Sequence, residues 1–133
     1  MTQQFSLRAY FREIDKSSEY FSKQPDLTKV VNILFGVWKN KGTVFTMGCG
    51  GSASTATHFA ADLAKTVMVN GKRGFRTISL VDNIPLVSAW TNDQGWGTVF
   101  AGQLDSWLTK NDVLVGFSVH GGSGSGEAGP WSQ

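Results

Sequence analysis

The stretch Thr43-Val-Phe-Thr-Met-Gly-Cys-Gly-Gly-Ser52, running on into Ala53-Ser-Thr-Ala-Thr-His-Phe-Ala-Ala-Asp-Leu-Ala64, decides the fold. It reads as a buried strand, a glycine loop and an amphipathic helix opened by a serine. Glycines allow the loop to turn tightly and bring its backbone close to a ligand. A helix start offers unpaired N–H groups and the positive end of the macrodipole, and so favours an anion. A second unit of the same kind, Asp112-Val-Leu-Val-Gly-Phe-Ser-Val-His-Gly-Gly-Ser-Gly124, follows downstream. Two such loops in one small chain point to a phosphorylated ligand held from two sides.

Working outward, Arg76-Thr-Ile-Ser-Leu-Val81 supplies another strand and Val113 to Phe117 a third. Helical stretches separate them: Asn83 to Thr91, with Ile84, Leu86, Val87 and Trp90 apolar, and Thr98 to Leu108, with Val99, Phe100, Leu104 and Trp107 inward. Strands alternating with helices imply βαβ units and a parallel sheet with right-handed crossovers. In such sheets ligands lie beyond the carboxyl ends of the strands, where both glycine loops fall. Ahead of the first strand, Phe5, Tyr10, Phe11, Ile14 and Phe21 recur at near-helical spacing. Gln24-Pro25-Asp26 breaks that helix, with Asp26 as the expected N-cap of the next. Leu27, Val30, Val31, Leu34, Phe35 and Trp38 then form a broad apolar stripe that ends at Asn40-Lys41-Gly42. The expected organisation is a helical hairpin over 1–42, then an α/β domain over 43–133. The hairpin's aromatic face packs on the sheet or forms an interface between subunits.

Composition narrows the class. The chain of 133 residues has room for one modest core, and 41% hydrophobic with 17% charged residues is the balance of a globular protein. A formal charge of +2 without a Lys/Arg run implies no commitment to nucleic acid. No apolar run approaches the roughly 18 residues that span a bilayer. The lone Cys49 excludes an internal disulfide and fits a reducing compartment. Met1 to Arg8 lacks the apolar core of a signal peptide, so a cytoplasmic location is expected.

The chemistry-bearing side chains are few. His58 and Asp62, four apart, project from one helix face; such a pair is a metal grip, a proton-transfer pair or a plain surface contact. Ser52 on the first loop and Ser118, Ser123 and Ser125 on the second offer hydroxyl donors beside glycine amides, or else simply build turns. Asn92 and Asp93 precede Gly95 and read either as a helix stop or as ligand contacts. His120 is a loop side chain that faces solvent, or a cation or acid/base beside the ligand.

The combination Gly48-Cys-Gly-Gly-Ser52, His58-Phe-Ala-Ala-Asp62, Thr91-Asn-Asp93 and Ser118-Val-His-Gly-Gly-Ser123 resembles the sugar isomerase (SIS) fold, and within it the phosphoheptose isomerases. The resemblance spans the whole chain. It implies a doubly wound, flavodoxin-like parallel sheet with a further strand-and-helix half after the second loop. The chain is therefore expected to be an N-terminal part of a longer protein, or a shortened copy cut after the third strand.

The resemblance also assigns roles. Cys49, Gly50, Gly51 and Ser52 would touch substrate, as would Asn92 and Asp93. Ser118, Val119, His120 and Ser123 would hold the phosphate. His58 and Asp62 would ligate zinc, with Asp62 as acid/base; His120, where the family has a small donor, is an acid/base candidate by its own chemistry. Two single positions and the second loop depart from the family pattern. Cys49 stands where asparagine is usual, Asp62 where glutamate is usual, and Ser118-Val-His-Gly-Gly-Ser123 where Ser-Thr-Ser-Gly-Asn-Ser is common. The family's remaining metal ligands, a glutamine and a histidine, would lie beyond residue 133. The implied reaction is aldose–ketose isomerisation of sedoheptulose 7-phosphate to D-glycero-D-manno-heptose 7-phosphate by a homotetramer. The alternative is a non-catalytic SIS adaptor or sugar-phosphate sensor, like the replication-initiator-associating protein of the same family.

Overall fold

The computed structural model describes residues 6–119 and residue 121. Phe5, His120, Ser123 and Ser125 lie outside the described residues. The chain divides into two compact units, Met1–Phe35 and Gly36–Gln133.

The first unit is helical. Ser6 caps helix α1 (Leu7–Ser22), its side chain accepting from the Ala9 N–H. No residue of α1 is buried, and Tyr10, Phe11, Tyr20 and Phe21 are each more than half exposed. Helix α2 (Pro25–Lys39) follows after two residues. Its first helical residue is Pro25, whose fixed φ suits that position, so Asp26 is not the N-cap. It lies in the first turn, where its charge faces the positive helix end and pairs with Lys29 at 2.8 Å.

In the second unit, α2 ends in a Schellman turn: the Gly42 N–H donates to Val37 O at 2.9 Å, and Lys41 takes the left-handed conformation at φ 57°. Glycine is required one residue later for another reason. A Cβ on Gly42 would stand 1.9 Å from Asn111 O. Trp38 is clasped by Arg73, whose guanidinium lies 4.9 Å from the ring centroid and donates to Trp38 O, while the indole N–H donates to Arg73 O at 3.0 Å.

The sheet has three parallel strands in the order β2-β1-β3: β1 (Thr43–Gly48), β2 (Arg76–Ser79) and β3 (Val113–Phe117). Neighbouring residues of a strand face opposite sides. Val44 and Phe45 are 0% and 1% exposed, so both faces of β1 are covered, as parallel sheets demand. Helix α3 (Gly51–Ala61) covers one face through Ala56 and Ala60; Thr46 and Thr77 hydroxyls donate to the carbonyls of those same alanines.

The connection from β2 to β3 carries α4 (Ile84–Gln94), a 3₁₀ turn (Trp96–Thr98) and α5 (Val99–Asp105). Here the burial differs from expectation. Val99 is buried, but Trp107 is 59% exposed, because α5 stops at Asp105 and Trp107 lies beyond it; Ile84, the first residue of α4, is 67% exposed. The buried residue of α5's second turn is polar: Gln103 Nε2 donates to Leu80 O and Val99 O, each at 3.0 Å.

Asp112 ties the strand starts together. Its Oδ1 accepts from the Thr43 N–H at 2.6 Å and its Oδ2 from the Thr109 N–H at 2.7 Å. Desolvation pushes this carboxyl upward, but the hydrogen bonds from Thr43 and Thr109 and the Arg76 charge outweigh it and hold the group below its ordinary value of 3.8. A lowered folded-state value means that the ionised Asp112 stabilises the fold above the unfolded-state value. That contribution is lost as pH falls through the folded-state value. Asp112→Ala is expected to cost about 1–3 kcal/mol at neutral pH, by leaving two backbone donors without their acceptor. The gap to the parent narrows below about pH 4. Urea melts of both proteins at neutral and acid pH check this.

Candidate functional site

The sheet register sets the two glycine loops side by side. Gly48 pairs with Phe117 at the carboxyl edge, so Cys49 and Ser118 leave adjacent strands at the same level. Gly50, at φ 57° and ψ −122°, is the N-cap of α3, in a backbone region that favours glycine. Ser52 is therefore not the cap but the second residue of the helix, and no side chain caps this end. The N–H groups of Ser52 and Ala53 turn back to the carbonyls of Cys49 and Gly50, each at 3.0 Å. The anion-binding capacity of the helix start thus rests on the Gly50 and Gly51 amides and the Ser52 hydroxyl. Cys49 is exposed and carries a free thiol.

Further along α3, His58 Nε2 stands 3.4 Å from Asp62 Oδ2, with side chains 81% and 48% exposed. Two donors bonded at about 2.0–2.1 Å to one tetrahedral zinc lie about 3.3 Å apart. Imidazole nitrogen and carboxylate oxygen are also donors that zinc accepts. The pair therefore fits the metal that the resemblance implies, and would supply two of the four ligands of a tetrahedral site. Among the described residues, no group of three or more His, Cys, Asp and Glu is placed to hold a metal ion.

Asp62 also opens a π-turn, Asp62–Thr66, in which the Val67 N–H reaches back five residues to Asp62 O at 3.2 Å. Such turns inside helices are frequent at functional sites. His58 borders an open recess lined by Ala53, Ser54, Thr57, Ala61 and Val81.

Other expected contacts are dispersed. Asn92 and Asp93 lie in the last turn of α4 rather than after it, and Asn92 Nδ2 donates to Asp93 Oδ1 at 2.8 Å. Both are exposed, as are Ser118 and Val119, the latter at 85%. His120 and Ser123 fall outside the described residues, so the second loop is described only at Ser118, Val119 and Gly121.

The structure adds a polar group that the sequence motifs do not signal. The Thr57 hydroxyl donates to Asp82 Oδ1 at 2.6 Å and lies 3.1 Å from Ser79 Oγ, joining α3 to the carboxyl end of β2 beside the recess. The one available clue was an aspartate directly after a strand, where open α/β sheets place their ligand sites.

A family model described as the SIS domain matches residues 9–126. Lincomycin biosynthesis protein LmbN from Streptomyces lincolnensis is 54% identical over 95 residues, which are 71% of this chain and 34% of that protein. A phosphoheptose isomerase from Helicobacter pylori is 38% identical over 115 residues, which are 86% of this chain and 58% of the enzyme. Among solved structures, the phosphoheptose isomerase GmhA from Neisseria gonorrhoeae superposes with a TM-score of 0.71 at 27% identity, covering 84% of this chain and 58% of the other. A phosphoheptose isomerase from Francisella tularensis gives 0.74 at 22% identity, covering 84% and 59%, and shares the fold. The chain thus spans between a third and three fifths of the length of these relatives. Among the described residues no helix is long and apolar enough to cross a membrane.

Proposed function

The chain belongs to the SIS domain family, and from that premise we propose that it is an aldose–ketose isomerase of a phosphorylated seven-carbon sugar. It would convert sedoheptulose 7-phosphate to D-glycero-D-manno-heptose 7-phosphate in the cytoplasm. The observation that carries the reading is His58 and Asp62, 3.4 Å apart on the helix that leaves the first glycine loop. The relatives named phosphoheptose isomerase support it.

In this mechanism the loop amides, Ser52 and Ser118 hold and orient the sugar phosphate. Orientation by a remote phosphate is binding energy applied to the reacting carbons. Asp62 takes a proton from C1 of the ketose as O2 gains one from solvent, giving the enediol; O1 then loses its proton to solvent as the carbonyl forms at C1, and Asp62 returns its proton to C2. A zinc ion held by His58 and Asp62 would supply Lewis-acid stabilisation of the developing oxyanion. Cys49, Asn92 and Asp93 would contact the sugar hydroxyls. Four copies would assemble through the exposed aromatic residues of α1, including Tyr10, Phe11 and Phe21. Light scattering is expected to give the mass of a tetramer, and a monomer mass would overturn that assembly.

A specific observation favours a second reading of the substrate. The 54% identity to a lincomycin biosynthesis protein is higher than that to the phosphoheptose isomerases. It supports a sugar phosphate of an antibiotic-building route as the one isomerised. The deciding experiment incubates the protein with ketose phosphates of increasing chain length, with and without a chelator, and follows the products by NMR. Conversion of sedoheptulose 7-phosphate that the chelator abolishes supports the first reading, and conversion of another chain length the second. Folded protein that binds the sugar phosphate without converting it would be an adaptor or sensor.

A further inference from the structure

We propose that Thr66 is a positioning residue that fixes the Asp62 carboxylate for metal binding. The inference rests on the reading of His58 and Asp62 as a metal pair. Thr66 Oγ1 donates to Asp62 Oδ1 at 2.8 Å, while the other oxygen, Oδ2, is the one that faces His58 Nε2 at 3.4 Å. The two carboxylate oxygens therefore have separate tasks. One is anchored to the protein, and the other is presented beside the imidazole at the separation that a shared tetrahedral cation requires.

The anchor is not the default behaviour of a threonine in a helix. Helical Ser and Thr hydroxyls commonly bond the carbonyl four residues back. Thr55 does so to Gly51 O at 3.2 Å and Thr91 to Val87 O at 2.8 Å. At the same spacing, Thr66 could reach Asp62 O. Here the helix widens into the π-turn: Asp62 O accepts from the Val67 N–H at 3.2 Å, and the Thr66 hydroxyl donates to the Asp62 side chain.

Without that bond the half-exposed Asp62 side chain would rotate freely, and its oxygens would exchange places beside His58. Groups that orient a ligating carboxylate typically contribute 10- to 100-fold in metal affinity.

The test is a titration with cobalt(II) as an optical probe for a zinc-type site, applied to the parent, Thr66→Val, Thr66→Ser and His58→Ala. Thr66→Val keeps the side-chain shape and removes the donor. It is expected to weaken cobalt binding about tenfold or more with an unchanged circular dichroism spectrum and melting temperature. Thr66→Ser, which restores the hydroxyl, is expected to bind as the parent does, a rescue that a purely structural role would not produce. Parental affinity in Thr66→Val, with binding lost in His58→Ala, overturns the role of Thr66 while leaving the metal pair in place. A parent that takes up no cobalt, or binds it unaffected by His58→Ala, overturns the metal pair and the role of Thr66 together.

Discussion

Replacing Asp62 with asparagine is expected to lower the proposed turnover of the sugar phosphate by about 10²- to 10⁴-fold, the usual contribution of a positioned acid/base group. The fold and the sugar-phosphate affinity are expected to be unchanged. Asparagine has the same shape, and its Oδ1 still accepts from Thr66, so the 2.8 Å bond that holds the side chain survives. What disappears is the carboxylate's charge, and with it the proton acceptor, together with the oxygen that faces His58 at 3.4 Å. The side chain is about half exposed, so its loss of charge changes stability by no more than about 0.5 kcal/mol. NMR-monitored turnover at saturating substrate, beside a melting curve, checks the result. Undiminished turnover would remove Asp62 from the chemistry. Asp62→Glu is not expected to improve on the parent. The added methylene breaks the match to Thr66, and a displacement of ~1 Å can cost ~10²-fold in rate.

The contrast between Asp62 and Thr66 shows where the sequence is a sufficient guide. Asp62 is legible because its relation to His58 is a spacing, and four residues in a helix fix which face both occupy. Strands β1 and β3 are legible for a similar reason: Val44-Phe45 and Val113-Leu114-Val115 are short apolar runs beside turn residues. β2 (Arg76–Ser79) has one apolar residue, Ile78, and is legible only because Leu80 and Val81 extend its run. The π-turn has no such signature, since a hydrogen bond slipped by one residue changes neither composition nor period, and with it the Thr66 contact is hidden. Thr57 meets Asp82 across 25 residues of chain, a separation that only the β1-α3-β2 crossover closes. Trp107 misleads for the opposite reason. It continues the apolar period of α5, but the helix ends two residues earlier and the period no longer dictates burial. Ser52 is misread as a cap because serine is favoured there, whereas the required backbone at Gly50 admits glycine and makes a side-chain cap impossible.

Gly48→Ala is expected to destabilise the protein by about 3 kcal/mol or more, at the upper end of overpacking costs, and to lower the melting temperature by roughly 10 °C. Gly48 is the last residue of β1, and the first turn of α3 folds directly over it. A Cβ there would stand 2.4 Å from Ser52 O, 2.5 Å from Ser52 C and 2.8 Å from Ala53 N. All three atoms are backbone, so no rotamer change relieves the contact, and the helix start must move away from the strand. Two other glycines separate this from a general intolerance of alanine. At Gly36, inside α2, nothing lies within 4 Å of a new Cβ, and alanine there should stabilise the helix by about 0.5–1 kcal/mol. At Gly51, the first residue of α3, a Cβ also meets nothing within 4 Å of it, so the fold should tolerate alanine. The methyl group would instead stand at the helix mouth assigned to substrate, and it should raise KM for the sugar phosphate with little change in melting temperature. Thermal melts of the three variants, with KM measured for Gly51→Ala, distinguish a glycine kept for packing from one kept for ligand approach. A Gly48→Ala protein that melts with the parent would mean that the strand and helix are not held as closely as 2.4 Å implies.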